Sequence, residues 1–96
     1  MKNERLIPMK YFAAFLPMRD LVKSQELRPA HVEFLDRKQK EGAIFARGRF
    51  SDGAGGLVIY RADSLEEARK IAESDPYVKN GARSLELHEW EMKRSE

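Results

Sequence analysis

Few residues in this chain can exchange a proton at neutral pH, since it has two histidines and no cysteine. His31 closely follows Pro29, which is well placed as the first residue of a helix. There the positive end of the helix dipole disfavours imidazolium and leaves the ring able to accept a proton. A carboxylate partner would instead favour the charged imidazolium and would fix the tautomer of the ring. His31 and Asp75 together would be the smallest set of side chains that supports general acid–base catalysis.

Asp75 is the candidate partner because it stands directly before Pro76, where a helix is predicted to end. The residue before a proline is pushed out of the α region, so the helix must stop there. A carboxylate against the negative end of the helix dipole costs about 0.3–1 kcal/mol, which a helix built only for stability would avoid. Two alternatives stay open at this point. Asp75-Pro76 simply starts a turn, as Asp-Pro often does, and His31 is a surface or satisfied core histidine.

Six predicted elements must position these residues, in the order strand, helix, strand, strand, helix, strand. They are Lys10 to Leu16, Pro29 to Lys40, Ala43 to Phe50, Leu57 to Ala62, Leu65 to Ser74 and Arg83 to Met92. Ser64 is a natural N-cap for the second helix, with Glu67 completing a capping box. This order predicts an α+β, ferredoxin-like βαββαβ fold with a four-stranded antiparallel sheet. Both helices would cover one face, so the helix ends that carry His31 and Asp75 can meet.

The first and third predicted strands are apolar on both faces, which fits the two central positions of such a sheet. Two helices cover only one face of the sheet, and no further segment remains to cover the other. An uncovered apolar patch of this size is rare on monomers. We therefore expect a homodimer with the sheets packed face to face through the open sheet face.

The length of 96 residues predicts one domain, with residues 1–8 as a flexible N-terminal extension and residues 9–96 as the folded unit. The 18 basic and 16 acidic residues are interleaved, so nucleic acid is not favoured as a partner. The longest apolar run, Tyr11 to Leu16, is far too short for a membrane span. Residues 1–8 lack the apolar segment of a secretory signal. Together with the absence of cysteine, these features favour a cytoplasmic location.

Several other side chains are candidate ligand contacts. Tyr11 and Tyr77 could each supply a hydroxyl to a polar ligand. Arg47 and Arg49 alternate on the second strand, where they face an anionic ligand or protect an edge strand against aggregation. Two histidines without cysteine do not make a structural metal site, so His88 is expected to pack at the dimer interface or along an edge. No metal and no cofactor are predicted.

Several segments resemble the YciI-like (YCII-related) family over roughly Met9 to Met92. They are Arg28 to Leu35, Glu41 to Phe45, Asp52 to Gly56, Asp75 to Val78 and Leu87 to Trp90. The resemblance implies a dimeric ferredoxin-like α+β barrel and a pocket in which His31 and Asp75 are the suspected active site. It favours the functional interpretation of that pair. Family members often carry Gly-Pro after the second strand, whereas this chain has Gly48-Arg49, which affects the charge or the mouth of the pocket.

Two functional interpretations follow. In the first, the chain is a small cofactor-independent enzyme, a lyase or isomerase, acting on a small organic molecule. His31 would be the catalytic base or acid, Asp75 would orient it and balance its charge, and Tyr11, Arg49 and Tyr77 would bind the ligand. In the second, it is a non-catalytic homodimer that binds a small metabolite or helps to assemble a complex. The sequence does not decide between them.

Overall fold

The structure of the protein, a computed structural model, describes residues 9–95. The predicted flexible extension, residues 1–8, lies outside the described residues. The described residues form four strands and three helices. They are β1 (Lys10–Pro17), α1 (Leu21–Lys40), β2 (Ile44–Arg49), β3 (Gly55–Ala62), α2 (Leu65–Glu73), α3 (Pro76–Lys79) and β4 (Glu86–Trp90).

The four strands form one antiparallel sheet in the order β2-β3-β1-β4. This order puts β1 and β3 in the centre and β2 and β4 at the edges, as the sequence predicts. In the register, Phe12 is opposite Tyr60 on β3, and Ala14 is opposite Leu87 on β4. The predicted α+β ferredoxin-like βαββαβ fold is confirmed. No helix among residues 9–95 is both long and apolar enough to cross a membrane.

The helices pack on one face of this sheet, where alternate residues of β1 and β3 enter the core. Phe12, Ala14 and Leu16 are buried on β1, whereas Ala13 and Phe15 between them are half-buried. This period of two is the signature of a strand with different environments on its two faces. The core continues into α1, α2 and β4, as the cluster of buried side chains shows. Its members are Phe12, Ala14, Leu16, Phe34, Leu35, Ile44, Val58, Tyr60, Ala62, Ala68, Ala72 and Leu87.

The first helix is longer than the sequence predicts, because it begins at Leu21 and not at Pro29. Asp20 is the N-cap, and its side chain accepts a hydrogen bond of 3.0 Å from the backbone N–H of Lys23. Pro29 therefore lies inside a helix, at an exposed position where it removes one backbone donor. Packing on both sides of the proline, through Ser24, Phe34 and Leu35, holds the two halves in one helix.

Two expectations based on helix dipoles are wrong because the helices begin at other residues than predicted. His31 lies in the middle of α1, so the positive end of that helix does not act on it, because the dipole effect fades beyond the first turn. Asp75 is not in the last turn of α2 but is the N-cap of the short helix α3, which was not predicted. A carboxylate at a helix N-terminus is stabilised, not destabilised. The predicted N-cap of α2 is confirmed, since Ser64 Oγ accepts the Glu67 N–H at 3.1 Å.

Candidate active site

His31 and Asp75 meet in the structure, 44 positions apart in the chain. The distance from His31 Nδ1 to Asp75 Oδ1 is 2.8 Å. The Asp75 side chain is fully buried, and the His31 side chain keeps 12% of its surface exposed. The sequence expectation that the two helix-borne residues can meet is confirmed in its geometry. One member of the pair is thus sealed inside the protein, and the other can reach a ligand.

The backbone after α3 is tied to the beginning of α1, and this brings the two residues together. The carbonyl oxygen of Ala82 accepts backbone N–H bonds from Arg19 and Asp20 at 3.3 and 3.1 Å. The buried hydroxyl of Ser24, one turn into α1, also donates to that carbonyl at 3.4 Å. Hydrogen bonds from two successive backbone donors and a side chain fix the position of the α3 segment on α1. They therefore set the distance between Asp75 and His31.

The hydrogen bonds of Asp75 determine the tautomer of His31. Asp75 Oδ1 accepts the backbone N–H of Tyr77 at 2.9 Å, as expected for an N-cap. We assign the proton of the second bond to His31 Nδ1, because a carboxylate oxygen can only accept hydrogen bonds. The proton is therefore on Nδ1, and Nε2 is left to accept or return a proton.

The other carboxylate oxygen of Asp75 is buried and has no hydrogen-bond partner among residues 9–95. Tyr60, on the neighbouring central strand, is also buried. Burial, and secondly the negative charge of Asp75, raise the pKa of the Tyr60 phenol well above its ordinary value of 10.0. A buried carboxylate oxygen without a hydrogen-bond partner is costly inside a protein, so this feature of Asp75 does not by itself stabilise the fold.

Tyr77 holds the imidazole in place through its ring. The rings of His31 and Tyr77 are stacked with centroids 3.8 Å apart and planes 12° apart. A ring stacked this closely fills one face of Tyr77. The guanidinium carbon of Arg83, 4.3 Å from the Tyr77 ring centroid, therefore lies over the other face in a cation–π contact. Tyr77 is itself buried, so its ring is held in a fixed position between the His31 imidazole and the Arg83 guanidinium.

A cavity of about 420 Å³ opens beside this stack, between α1 and the β2–β3 edge of the sheet. A cavity of this size is in the range that takes small organic ligands. His31, Tyr77 and Arg49, three residues singled out in the sequence, all line it. Asp75 does not line it, which fits its place behind the imidazole.

Tyr11, which the sequence suggested as a ligand contact, is not brought to this cavity. Tyr11 belongs to the alternate set of β1 residues whose neighbours Phe12 and Ala14 enter the helix-covered core. Its ring contacts Phe45, with centroids 5.1 Å apart, on the opposite face of the sheet. Within one chain, Tyr11 and His31 are therefore separated by the sheet. The period-two pattern of β1 contains this information, because Tyr11 alternates with the residues of the core.

His88 is exposed on β4 and lies opposite Ala13 of β1, on the sheet face that the helices leave open. It is well separated from the His31 site by the sheet. Within the described part of the chain, no cluster of three or more histidine, aspartate or glutamate side chains is arranged to hold a metal ion.

Comparison with known proteins agrees with the sequence resemblance. The model of the YCII-related domain family matches residues 9–91. The chain belongs to this family. It is 43% identical over 84 residues to YjpA, an uncharacterized protein of Bacillus subtilis (strain 168), and the match covers 88% of this chain and 99% of YjpA. The predicted family is thereby confirmed.

A solved structure has the same fold as this YCII-related domain. It is 5-chloro-2-hydroxyhydroquinone dehydrochlorinase (TftG) from Burkholderia phenoliruptrix AC1100, in complex with 2,5-dihydroxybenzoquinone. The TM-score is 0.73, and the similarity covers 86% of this chain and 95% of that one. At 21% sequence identity, the likeness shows a shared fold.

Sequence reasoning missed three residues of the site in this YCII-related domain: Ser24, Arg28 and Arg83. Ser24, Arg28 and His31 are spaced by four and three residues, which places them on one face of a helix. That signal was hidden because the helix was predicted to begin only at Pro29. Arg83 was assigned to a strand. In the structure it precedes β4, and its Nε donates to Ser24 Oγ at 3.0 Å.

Proposed function

We propose that this YCII-related domain is a small enzyme that needs no cofactor and uses His31 and Asp75 for acid–base chemistry on a small organic molecule. The observation that carries the proposal is the hydrogen bond of 2.8 Å between a fully buried carboxylate and an imidazole that faces a cavity. Nε2 of His31 takes a proton from the ligand, and Asp75 stabilises the resulting imidazolium. The same ring then returns the proton to another atom of the ligand or to a leaving group. This sequence describes a lyase or an isomerase.

Three features support this chemistry over a purely structural pair. The stack on Tyr77 fixes the plane of the imidazole, and the Asp75 bond fixes its tautomer, so the base is preorganised. The cavity next to it holds a small molecule rather than a polymer. TftG, which shares the fold, is a dehydrochlorinase, so this architecture is compatible with the removal of a group from a small molecule.

The proposal extends to a homodimer in which two open sheet faces form a barrel. The open face carries Phe15, Leu57 and Phe45, together with the exposed Trp90 at its edge. No described helix covers these side chains, and apolar surface of this kind is commonly buried against a second copy. The dimer would enclose the open face and leave both His31 cavities outside it, because they lie on the helix-covered face.

The two histidines provide a matched pair of variants for a test of activity. Wild-type protein, His31→Gln, Asp75→Asn and His88→Gln are incubated in heavy water with a panel of small organic acids. Exchange of C–H for C–D or conversion to a new product is followed by proton NMR. We expect turnover with the wild type and with His88→Gln, and its loss in His31→Gln and Asp75→Asn. Binding of panel members without any turnover would instead support the second interpretation, a homodimeric metabolite-binding or assembly module.

A further inference from the structure

The charges around the His31 cavity are unbalanced. A second cavity of about 230 Å³ adjoins the first, and the two share Arg28, Arg49, Tyr77 and Arg83 in their walls. Among residues 9–95, neither wall contains an aspartate or a glutamate. The whole chain has 18 basic and 16 acidic residues, so the excess of positive charge here is local.

The three shared arginines also lack carboxylate partners among the described residues. Arg47, which lines only the larger of the two cavities, forms an ion pair with Asp36 at 2.6 Å. In the part of the chain that the structure describes, no ion pair involves Arg28, Arg49 or Arg83. Like charges around one concave surface repel each other, so this arrangement does not serve the stability of the fold. It does raise the local concentration of anions.

Arg83 is preorganised to bind an oxyanion. Its Nε donates to the buried Ser24 Oγ at 3.0 Å, and its guanidinium lies against the Tyr77 ring. These two contacts fix the plane of the guanidinium and leave its two terminal nitrogens for a ligand. Gly56 lies next to this end, since a Cβ added there would come within 3.9 Å of Arg83 Nη1. A guanidinium held in this way binds carboxylate or phosphate in a two-point geometry with little loss of side-chain entropy.

We propose that Arg28, Arg49 and Arg83, here called the arginine cluster, bind a carboxylate or phosphate group of the substrate. This inference rests on the proposed function, since it names the class of molecule on which His31 acts. His31 and Arg83 lie on opposite faces of the Tyr77 ring, so a small molecule anchored at Arg83 must extend past the edge of that ring to reach Nε2. The substrate is therefore an organic anion whose charged group is separated from its reacting atom by a few bonds.

The test compares three ring compounds of similar size: benzoate, phenyl phosphate and neutral benzamide. Binding is measured by chemical-shift titration of 15N-labelled protein, at low and at high sodium chloride. We expect both anions, or the one whose group fits, to bind at least about tenfold more tightly than benzamide. The preference should fall as salt is raised. The ratio of benzoate to phenyl phosphate affinity tells which oxyanion the site takes.

Three variants locate the binding. Arg83→Gln should weaken anion binding about tenfold or more and leave benzamide binding unchanged. Arg49→Gln, on an exposed edge position where folding is not at risk, should weaken the anions in the same direction. Arg69→Gln is the matched control, because Arg69 is an exposed arginine of α2 paired with Glu73 and outside both cavities. It should bind the anions like the wild type.

The proposal is overturned if benzamide binds as tightly as the anions, if neither anion binds at millimolar concentration, or if Arg49→Gln and Arg83→Gln keep the wild-type affinity. Its failure can be told apart from a failure of the His31–Asp75 mechanism. Anion binding that persists in Asp75→Asn without any turnover supports the arginine cluster and contradicts the acid–base pair. Turnover that is limited to neutral substrates supports the acid–base pair and contradicts the arginine cluster.

Discussion

Substitutions of Asp75 separate its contribution to the fold from its contribution to chemistry. The side chain caps α3 through Tyr77 N–H and accepts the Nδ1–H of His31. Asp75→Ala loses the cap, at a cost of about 1 kcal/mol. It also leaves the mostly buried Nδ1–H of His31 without its acceptor, at a cost of about 1–3 kcal/mol. We therefore expect the free energy of unfolding to fall by about 2–4 kcal/mol.

Asp75→Asn should be much milder in stability but equally severe in chemistry. Asparagine is as good an N-cap as aspartate, and its side-chain oxygen can still accept from Tyr77 and His31. One buried oxygen without a partner is exchanged for a buried amide, so we expect a net loss of about 1 kcal/mol. The negative charge that stabilises an imidazolium on His31 is gone, so proton transfer should be lost.

The two variants are compared by urea unfolding and by long-range 1H–15N spectra of the imidazole. In the wild type the spectra should show His31 protonated on Nδ1. In Asp75→Asn the population should shift toward protonation on Nε2, because a neutral amide oxygen holds the Nδ1 proton less strongly. His88, on the other sheet face, is the internal reference in the same spectrum. If His31 has the same tautomer in Asp75→Asn as in the wild type, or if Asp75→Ala is as stable as Asp75→Asn, the role assigned to this carboxylate is refuted.

Three further predictions concern the fold. Gly55→Ala should lower the free energy of unfolding by about 2–5 kcal/mol, because φ is +141° and a Cβ would lie 2.1 Å from a β1 carbonyl oxygen. Gly48→Ala is the control, since an added Cβ meets nothing within 4 Å there, and it should change the free energy of unfolding by no more than about 0.5 kcal/mol. Equal losses for the two variants in urea unfolding would contradict this prediction. Phe15→Asp should convert a dimer to a monomer of 11.1 kDa by light scattering, because it places a charge on the open sheet face. Val22→Asp, at an exposed apolar position of α1, should leave the mass unchanged, and an unchanged mass in both variants would refute the sheet-to-sheet dimer. Burial keeps Tyr60 protonated in the folded state above pH 10.0, while the same side chain ionises in the unfolded chain. The unfolded state then binds fewer protons, so the free energy of unfolding falls by about 1.4 kcal/mol per pH unit as pH rises. Tyr60→Phe should remove that part of the slope, and the same slope in both proteins would show that Tyr60 is not its source.

The sheet was predictable because its signals are local and redundant. The two central strands have continuous apolar runs, and the turn at Asp52-Gly53 links β2 to β3 where the sequence places it. Register follows from burial, since a shift by one residue would expose Phe12 and bury Tyr11. The central position of β1 and β3 follows from their two apolar faces. These inferences need no knowledge of contacts between distant residues.

The beginning of α1 was not predictable from the same signals because two local rules point to different residues. Pro29 is a favourable first helical residue, yet it is also tolerated within a helix when packing on both sides compensates for the lost hydrogen bond. The N-cap at Asp20 was the better signal, and the polar composition after it concealed the helix. Tertiary contacts of Ser24 with Ala82 and Arg83, which no local pattern reveals, decide the outcome.

The length of α1 connects the fold to the proposed chemistry. Starting the helix at Leu21 puts Ser24, Arg28 and His31 on one face, so a single rigid element holds Arg83 through Ser24 and presents the base two turns later. A helix that began at Pro29 would leave Ser24 and Arg28 in a loop and His31 in a first turn that frays. Rigid elements position catalytic groups more accurately than loops do. The continuity of α1 across Pro29, a residue that by itself weakens a helix, therefore joins the two halves of the site.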